Sequence, residues 1–133
     1  MKAQALVEGS ERLVEAMGRW PSFHDANVLS LSRSEGSCTV VIHVFEMTNE
    51  IDKNRFFVLK KHHLVSIEMQ GISSNSLPEP YKGDVLSDLF IGPSGDLVEV
   101  RFESHMDQDG EVLCRGVRIT NVVPCDADGS VRI

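Results

Sequence analysis

The chain has 133 residues, of which 41% are hydrophobic and 25% charged, a composition that fits one globular domain and argues against disorder. It contains no apolar run of about 20 residues, which argues against a membrane-spanning helix. The formal net charge of −7 disfavours nucleic acids and acidic membrane surfaces, and it favours a basic protein partner or a cationic ligand.

The N-terminal residues predict one short helix. Ser10 can cap a helix over residues 10–18, and Gly18 stands where a glycine commonly ends one. Carboxylates interrupt the apolar stretch that a secretion signal would need. They belong to Glu8, Glu11 and Glu15. We therefore expect a cytoplasmic protein with a short helix near its start.

From residue 26 onward the hydrophobic period changes to two, which is typical of β-strands. The clearest strand is predicted from Leu97 to Ser104, with Val98, Val100 and Phe102 directed inward. Polar or glycine-containing turns separate most of the strand candidates. These candidates are residues 27–33, 38–47, 55–61, 63–70, 85–91, 97–104 and 112–123.

This pattern predicts a single domain over residues 1–133, of the α+β class and mainly β. Residues 26–123 are expected to form a curved antiparallel sheet or sandwich of about seven strands. One short N-terminal helix precedes the sheet, and residues 124–133 form a tail.

The run from Trp20 to Asp25 has the most distinctive chemistry of the chain. Trp20 and Phe23 flank a proline and a serine and lead directly into two ionisable neighbours, His24 and Asp25. The aromatic side chains could anchor a turn that presents the two polar groups as a site. Alternatively, they close the core, and Asp25 accepts backbone hydrogen bonds in the turn. Residue chemistry leaves both interpretations open.

No catalytic set is evident in the sequence. There is neither a G-x-S-x-G motif nor a reactive cysteine–histidine signature, so no catalytic residue is assigned and no enzyme is expected. His43 and Glu46 are three residues apart in a predicted strand, which places them on opposite faces and disfavours a shared metal. None of the five histidines stands at a zinc-binding spacing. The linear pattern therefore predicts no metal and no cofactor, while a site assembled in three dimensions stays open.

The three cysteines form no C-x-x-C pair, so neither a zinc ribbon nor a redox motif is indicated. Cys38 and Cys114 lie in strand candidates and are expected to behave as small hydrophobic residues. Cys125 lies near the tail and is expected to be an accessible thiol.

Two short motifs resemble a bacterial protein family. They are residues 20–26 (Trp-Pro-Ser-Phe-His-Asp-Ala) and residues 43–48 (His-Val-Phe-Glu-Met-Thr), and the spacing to residues 58–62 is also similar. Over most of residues 19–123 the chain resembles immunity proteins of polymorphic toxin systems, of the type called immunity protein fifty. The resemblance implies a small α+β protein that binds a secreted or contact-delivered toxin and blocks it in the producing cell. It transfers no catalytic residues.

Three functions follow as hypotheses, and we favour the first. An immunity-type protein would neutralise a cognate toxin by surface complementarity, and a basic toxin would be attracted to an acidic surface. The candidate residues of that surface are Asp84, Asp88, Glu99 and Glu103. A small-ligand or metal-binding β domain would instead line a pocket with His24, Asp25 and either His43 or His105. A scaffold that exposes a sheet edge would self-associate, for example as a homodimer.

Overall fold

The computed structural model describes residues 3–78, 81 and 83–131. In these residues a short 3-10 turn (Ala3–Leu6) and one α-helix accompany nine β-strands. The helix is α1 (Ser10–Met17), and the strands are β1 (Val7–Glu8), β2 (Asn27–Ser34), β3 (Ser37–Ile51), β4 (Phe57–Gln70), β5 (Ser74–Asn75), β6 (Asp84–Ser94), β7 (Leu97–Ser104), β8 (Gly110–Cys114) and β9 (Gly116–Pro124). The prediction of a mainly β fold with one short N-terminal helix is confirmed.

The prediction of about seven antiparallel strands is wrong in count and in direction. The described strands form a nine-stranded mixed sheet in the order β1-β9-β4-β3-β2-β6-β7-β8-β5, and β1 pairs with β9 in parallel. The predicted strands 55–61 and 63–70 merge into one strand, β4, which begins at Phe57, whereas the predicted strand 112–123 is divided at Arg115. The two extra strands, β1 and β5, have two residues each, which is too short for an alternating pattern to reveal.

Two corners fold this sheet over a common core. At one corner β2 and β6 share only two residue pairs, Asn27 with Val85 and Val28 with Asp84. At the other corner the chain passes from β8 into β9 through the single residue Arg115. One half of the structure therefore contains β1, β9, β4, β3 and β2, and the other half contains β6, β7, β8 and β5.

The inward faces of both halves supply the core. Val98, Val100 and Phe102 are buried, as the alternation in β7 predicts. The ring of Tyr81 packs edge-on against Phe102 with 5.8 Å between the centroids. The largest fully buried side chains also include Leu13, Ile42, Ile67, Met69, Leu86, Val28, Val40, Val44 and Val65.

Helix α1 ends as predicted but begins differently. Gly18 adopts a φ of 83°, and its amide donates to the carbonyl of Val14 at 2.7 Å. The predicted cap at Ser10 is wrong, because Gly9 is the N-cap and no side chain caps the helix. A Cβ atom at Gly9 would lie 2.9 Å from the carbonyl oxygen of Ile119, so the close approach of β9 requires glycine there. No helix in the described ranges is long and apolar enough to cross a membrane.

The predicted tail packs against the outer face of the sheet near β4. The amide of Cys125 donates to the carbonyl of His62 at 3.0 Å, and Cys125 forms an isolated bridge with Val131. Cys125 is 0% exposed, so the expectation of an accessible thiol is wrong. Cys38 and Cys114 are also buried, and burial raises the pKa of the Cys38 thiol to about 11. Residues 132 and 133 of the tail lie outside the described residues.

Candidate functional site

The turn that precedes β2 is anchored by its aromatic side chains. Phe23 is 3% exposed and meets the ring of Trp20 edge-on, with 5.7 Å between the centroids. The amide of Ala26 donates to the carbonyl of Phe23 at 3.1 Å and closes the turn. The amide of Asp25 donates to the carbonyl of Leu86 at 2.8 Å, which joins the turn to β6.

The backbone of this turn is unusual at two positions. Phe23 has a φ of 62° and Asp25 a φ of 64°, and the left-handed region is uncommon for a bulky side chain such as phenylalanine. The buried contacts of Phe23 offset the cost of this conformation. Between the two residues, the side chain of His24 is 57% exposed. The aromatic residues therefore close the core and also present polar groups at the surface.

His24, Asp25 and His105 meet at this surface in a group that we call the His–Asp–His cluster. Nε2 of His105 lies 3.1 Å from Oδ1 of Asp25, and Nε2 of His24 lies 3.6 Å from Oδ2. The two imidazole centroids are 5.6 Å apart, and the ring planes are inclined at 75°. Each side chain offers one atom that could ligate a metal, and these three atoms all lie within 4.8 Å of one another. Histidine and aspartate are both common ligands of transition metals.

The backbone of β6 positions two members of the cluster. The carbonyl of Val85 accepts a hydrogen bond from the amide of His105 at 2.8 Å, and the next carbonyl, that of Leu86, accepts from the amide of Asp25 at 2.8 Å. Residues that are 80 positions apart in the chain are thus attached to adjacent residues of one strand. A sequence pattern cannot show this proximity, because it depends on the pairing of β6 with β7.

The third consecutive carbonyl of β6 orients the remaining imidazole. Nδ1 of His24 lies 3.0 Å from the carbonyl oxygen of Ser87. Since a carbonyl oxygen can only accept, Nδ1 carries the proton in this hydrogen bond. In the tautomer with this proton on Nδ1, Nε2 carries a lone pair, and Nε2 is the atom that faces Asp25.

His43 and Glu46 are not part of this cluster. His43 is 3% exposed, and its Nε2 is hydrogen-bonded to Nδ1 of His62 at 2.9 Å. Burial lowers the pKa of His43, the neighbouring His62 lowers it further, and Asp128 acts in the opposite direction. The carboxylate of Glu46 lies 3.4 Å from Nζ of Lys61. Of the predicted site residues, the structure places Trp20, Phe23, His24 and Asp25 together in the segment before β2, and it places His43 and Glu46 outside the His–Asp–His cluster.

Asp84 does not lie on an acidic surface, which corrects the prediction. It is 0% exposed, because the pairing of β2 with β6 places it inside the corner. Its Oδ2 accepts a hydrogen bond from the hydroxyl of Tyr81 at 2.7 Å. Its Oδ1 accepts from the hydroxyl of Ser104 and, at 2.9 Å, from the amide of Val85. A buried carboxylate with three donors is a structural group.

The other three predicted acidic residues share the outer face of β6 and β7. Asp88 is directly opposite Glu103, and Glu99 lies on the same side of β7 as Glu103. Glu111 on β8 extends this group and was not predicted. Arg101 lies among them, 3.6 Å from Glu99 and 3.7 Å from Glu103. We call Asp88, Glu99, Glu103 and Glu111 the acidic face, whose four carboxylates exceed the single positive charge of Arg101.

The strands β3 and β4 extend beyond their neighbours as a two-stranded ribbon. The last pair of β3 with β2 is at His43, and the last pair of β4 with β9 is at His63. Within the described residues, positions 46–61 pair only with each other. An isolated two-stranded hairpin is marginally stable in water, so its exposed surface favours contact with another molecule.

One face of this ribbon is apolar. Met47 pairs with Leu59, and Ile51 pairs with Phe57. Phe57 and Leu59 are two positions apart and therefore point to the same side, together with their partners. All four side chains, and that of Phe56 at the end of the ribbon, are between 38% and 69% exposed. The alternating pattern of residues 55–61 predicts only an ordinary strand, whereas the two adjacent phenylalanines beside charged residues are the signal of this surface.

A hollow of about 110 Å³ borders the anchored turn on another side. Its walls include Pro21, Ser22, Phe45 and Met47, and His24 and Asp25 do not line it. Typical small-molecule sites have volumes of about 300–1,000 Å³. This hollow therefore gives little support to the predicted pocket for a small organic ligand.

Comparison with protein-family models, with curated proteins and with solved structures found no match. The resemblance to immunity proteins thus stays a prediction that depends on the two motifs in residues 20–26 and 43–48.

Proposed function

We propose that this chain is an immunity-type protein that binds and neutralises a cognate bacterial toxin in the cytoplasm, by surface complementarity and without catalysis. The observation that carries the proposal is the exposed apolar face of the β3–β4 ribbon. We propose a toxin as the partner because the two sequence motifs resemble immunity proteins. The acidic face supports a partner with a basic surface.

The ribbon has the properties of a protein-binding element. Contiguous exposed apolar side chains with a polar rim mark interaction sites on folded proteins. Phe56 and Phe57 are 69% and 54% exposed, and aromatic residues are frequent among the side chains that contribute most to binding. Charged residues surround them, and Lys60 forms an ion pair of 3.2 Å with Glu50. We infer that the apolar face of the ribbon binds in an apolar groove on the toxin.

The acidic face has a different role in this proposal. Carboxylates at the rim of an interface chiefly raise the rate of association with an oppositely charged partner. Asp88 is exposed, and its carboxylate accepts a hydrogen bond from the neighbouring amide of Leu89 at 2.8 Å. Replacing Asp88 and Glu111 by their amides should slow association several-fold and reduce its salt dependence, while dissociation stays nearly constant.

A co-expression experiment tests the proposal directly. The toxin encoded beside the gene of this protein is expressed in a sensitive host with the wild-type chain or with Phe57→Ser. We expect the wild type to restore growth and to bind the purified toxin, and we expect Phe57→Ser to weaken binding by about tenfold or more. Met106→Ser is the matched control, because Met106 is 55% exposed but lies outside the ribbon. The proposal would be refuted if no toxin gene lay beside the gene of this protein. It would also be refuted if Phe57→Ser restored growth and bound the toxin as well as the wild type does.

Self-association is the competing outcome. Size-exclusion chromatography with light scattering gives the mass of the purified chain. If the wild type is a dimer and Phe57→Ser is a monomer, the ribbon binds a second copy of this chain. That result would overturn the proposal that the ribbon binds a toxin. A monomeric wild type is the expected result. The strands at the two ends of the sheet order, β1 and β5, have two residues each and offer little edge for pairing, so a dimer formed through strand pairing would use the open edges of the ribbon.

A further inference from the structure

We propose that His24, Asp25 and His105 bind one divalent transition-metal ion of the Zn²⁺ class. Two imidazoles and one carboxylate are a common ligand set for such ions. This site goes beyond toxin binding and does not depend on it.

The distances in the cluster suit a single ion. Zn²⁺ binds imidazole nitrogen and carboxylate oxygen at about 2.0–2.2 Å, so the ligand atoms of a tetrahedral site lie about 3.4 Å from each other. The carboxylate of Asp25 is already 3.1 Å from His105 and 3.6 Å from His24. All three donors lie within 4.8 Å of one another. Small rotations of two exposed rings therefore suffice to bring the imidazoles into coordination.

The hydrogen bonds behind the ligands suit metal binding as well. A metal-ligating histidine normally donates its second ring N–H to a carbonyl or carboxylate, which fixes the tautomer and orients the ring. Nδ1 of His24 makes this contact with the carbonyl of Ser87 at 3.0 Å. The backbones of Asp25 and His105 are attached to the two preceding residues of β6. The ligands are thus supported by three consecutive peptide groups of a strand, which is more rigid than a loop.

Three protein ligands leave a coordination position open on the solvent side. The side chains of His24, Asp25 and His105 are 57%, 39% and 44% exposed. A tetrahedral ion held by these groups would take water or a donor atom of another molecule as its fourth ligand. The ion would also connect the turn before β2 to the end of β7, and so would join the two halves of the sheet.

The test uses tag-free protein that has been treated with a chelator and then titrated with ZnCl₂ in a calorimeter. We expect one ion per chain for the wild type, and at least tenfold weaker binding for His24→Asn, Asp25→Asn and His105→Asn. His63→Asn is the matched control, since the ring of His63 bonds to the carbonyl of Lys61 at 2.8 Å, away from the cluster. All three cysteines are buried, so thiols do not compete for the ion in the folded chain.

Thermal unfolding gives a second, independent measurement. An ion that binds only the folded chain raises Tm, by an amount that grows with the logarithm of its concentration. ZnCl₂ should raise the Tm of the wild type and of His63→Asn, but not that of the three cluster variants. Asparagine tolerates the left-handed backbone at position 25, so Asp25→Asn should fold. No binding by the wild type, or binding that persists in all three variants, would overturn the site.

Discussion

Two aspartates at the same corner of the molecule have opposite surroundings. Asp84 is 0% exposed and contacts Ser104, whereas the side chain of Asp25 is 39% exposed and contacts the next residue, His105. The buried carboxylate accepts hydrogen bonds from two hydroxyls and one amide. The exposed carboxylate faces two imidazoles. The donors around Asp84 are fixed parts of the core, and the groups around Asp25 can exchange their partners.

This difference separates a structural carboxylate from a functional candidate. A buried carboxylate with all of its hydrogen bonds satisfied has neither space nor a free lone pair in reach of solvent for a ligand. The imidazoles beside Asp25 are uncharged metal ligands when neutral, and they are accessible from solvent. Both residues are aspartates, so the number and kind of their neighbours decide the role of each.

A substitution of Asp84 tests whether the buried carboxylate stabilises the fold. Asp84→Asn places an amide N–H₂ against the hydroxyl of Tyr81 or of Ser104 and disturbs a network in which Asp84 and Tyr81 are both buried. We expect the free energy of unfolding to fall by about 2 kcal/mol, because a buried donor loses its acceptor. Urea denaturation at neutral pH measures this loss. A loss below about 0.5 kcal/mol would mean that the corner does not depend on the carboxylate.

A smaller loss is expected from the partner of Asp84. Tyr81→Phe removes only the hydroxyl and keeps the ring packed against Phe102. Burial, together with the hydrogen bond to Asp84, raises the pKa of Tyr81, so the phenol stays a donor at any ordinary pH. We expect a loss of about 1 kcal/mol. In the double variant with Asp84→Asn the two losses should not add, since both changes disrupt one interaction, and a double-mutant cycle in urea would detect this coupling.

The sequence predicted those parts of the fold that depend on local patterns. Alternation identified the buried face of β7, and Gly18 identified the end of α1, because each signal lies within a few adjacent residues. The same reasoning placed Asp84 on the surface, since an aspartate beside a polar loop is usually solvated. Its burial depends on the pairing of β2 with β6, which brings together residues 27–28 and 84–85. That pairing leaves no local signature.

The candidate site was predicted in part for the same reason. His24 and Asp25 are adjacent and were identified from the anchored turn, whereas His105 was only one of two alternatives for a third group. His43, the other alternative, belongs to a long central strand, and the tail covers it from the outside: a Cβ atom at Gly129 would lie 3.8 Å from its Nδ1. Neither the folding of the tail nor the shared attachment to β6 follows from residue order.

The buried imidazole of His43 differs from the exposed imidazoles of His24 and His105, and the pH dependence of stability tests this difference. The pKa of His43 is lowered below its ordinary value of about 6.5, first by burial and then by His62, although Asp128 opposes the shift. The unfolded chain therefore binds the proton more readily than the folded chain. Stability should be highest above about pH 6.5 and should fall as the pH drops through the lowered folded pKa.

His43→Gln isolates this contribution. Below about pH 6.5 the wild type should lose stability by less than about 1.4 kcal/mol per pH unit, the limit for one proton, and the variant should show a shallower slope. Chemical denaturation at several pH values between 5 and 8 measures the slope. Identical slopes for the two proteins would assign the pH dependence to other groups.

A substitution of Asp25 tests whether the exposed carboxylate contributes to stability. Asp25→Asn keeps the left-handed backbone at position 25, because asparagine adopts this region more readily than most residues. It weakens contacts with His24 and His105 that are exposed to water, and exposed ion pairs contribute about 0–1 kcal/mol. In metal-free buffer the free energy of unfolding should therefore change by no more than about 0.5 kcal/mol, as measured by urea denaturation. A loss equal to that of Asp84→Asn would show that Asp25 is also a structural group, and the cluster would then be a brace between the turn and β7 rather than a site for an ion.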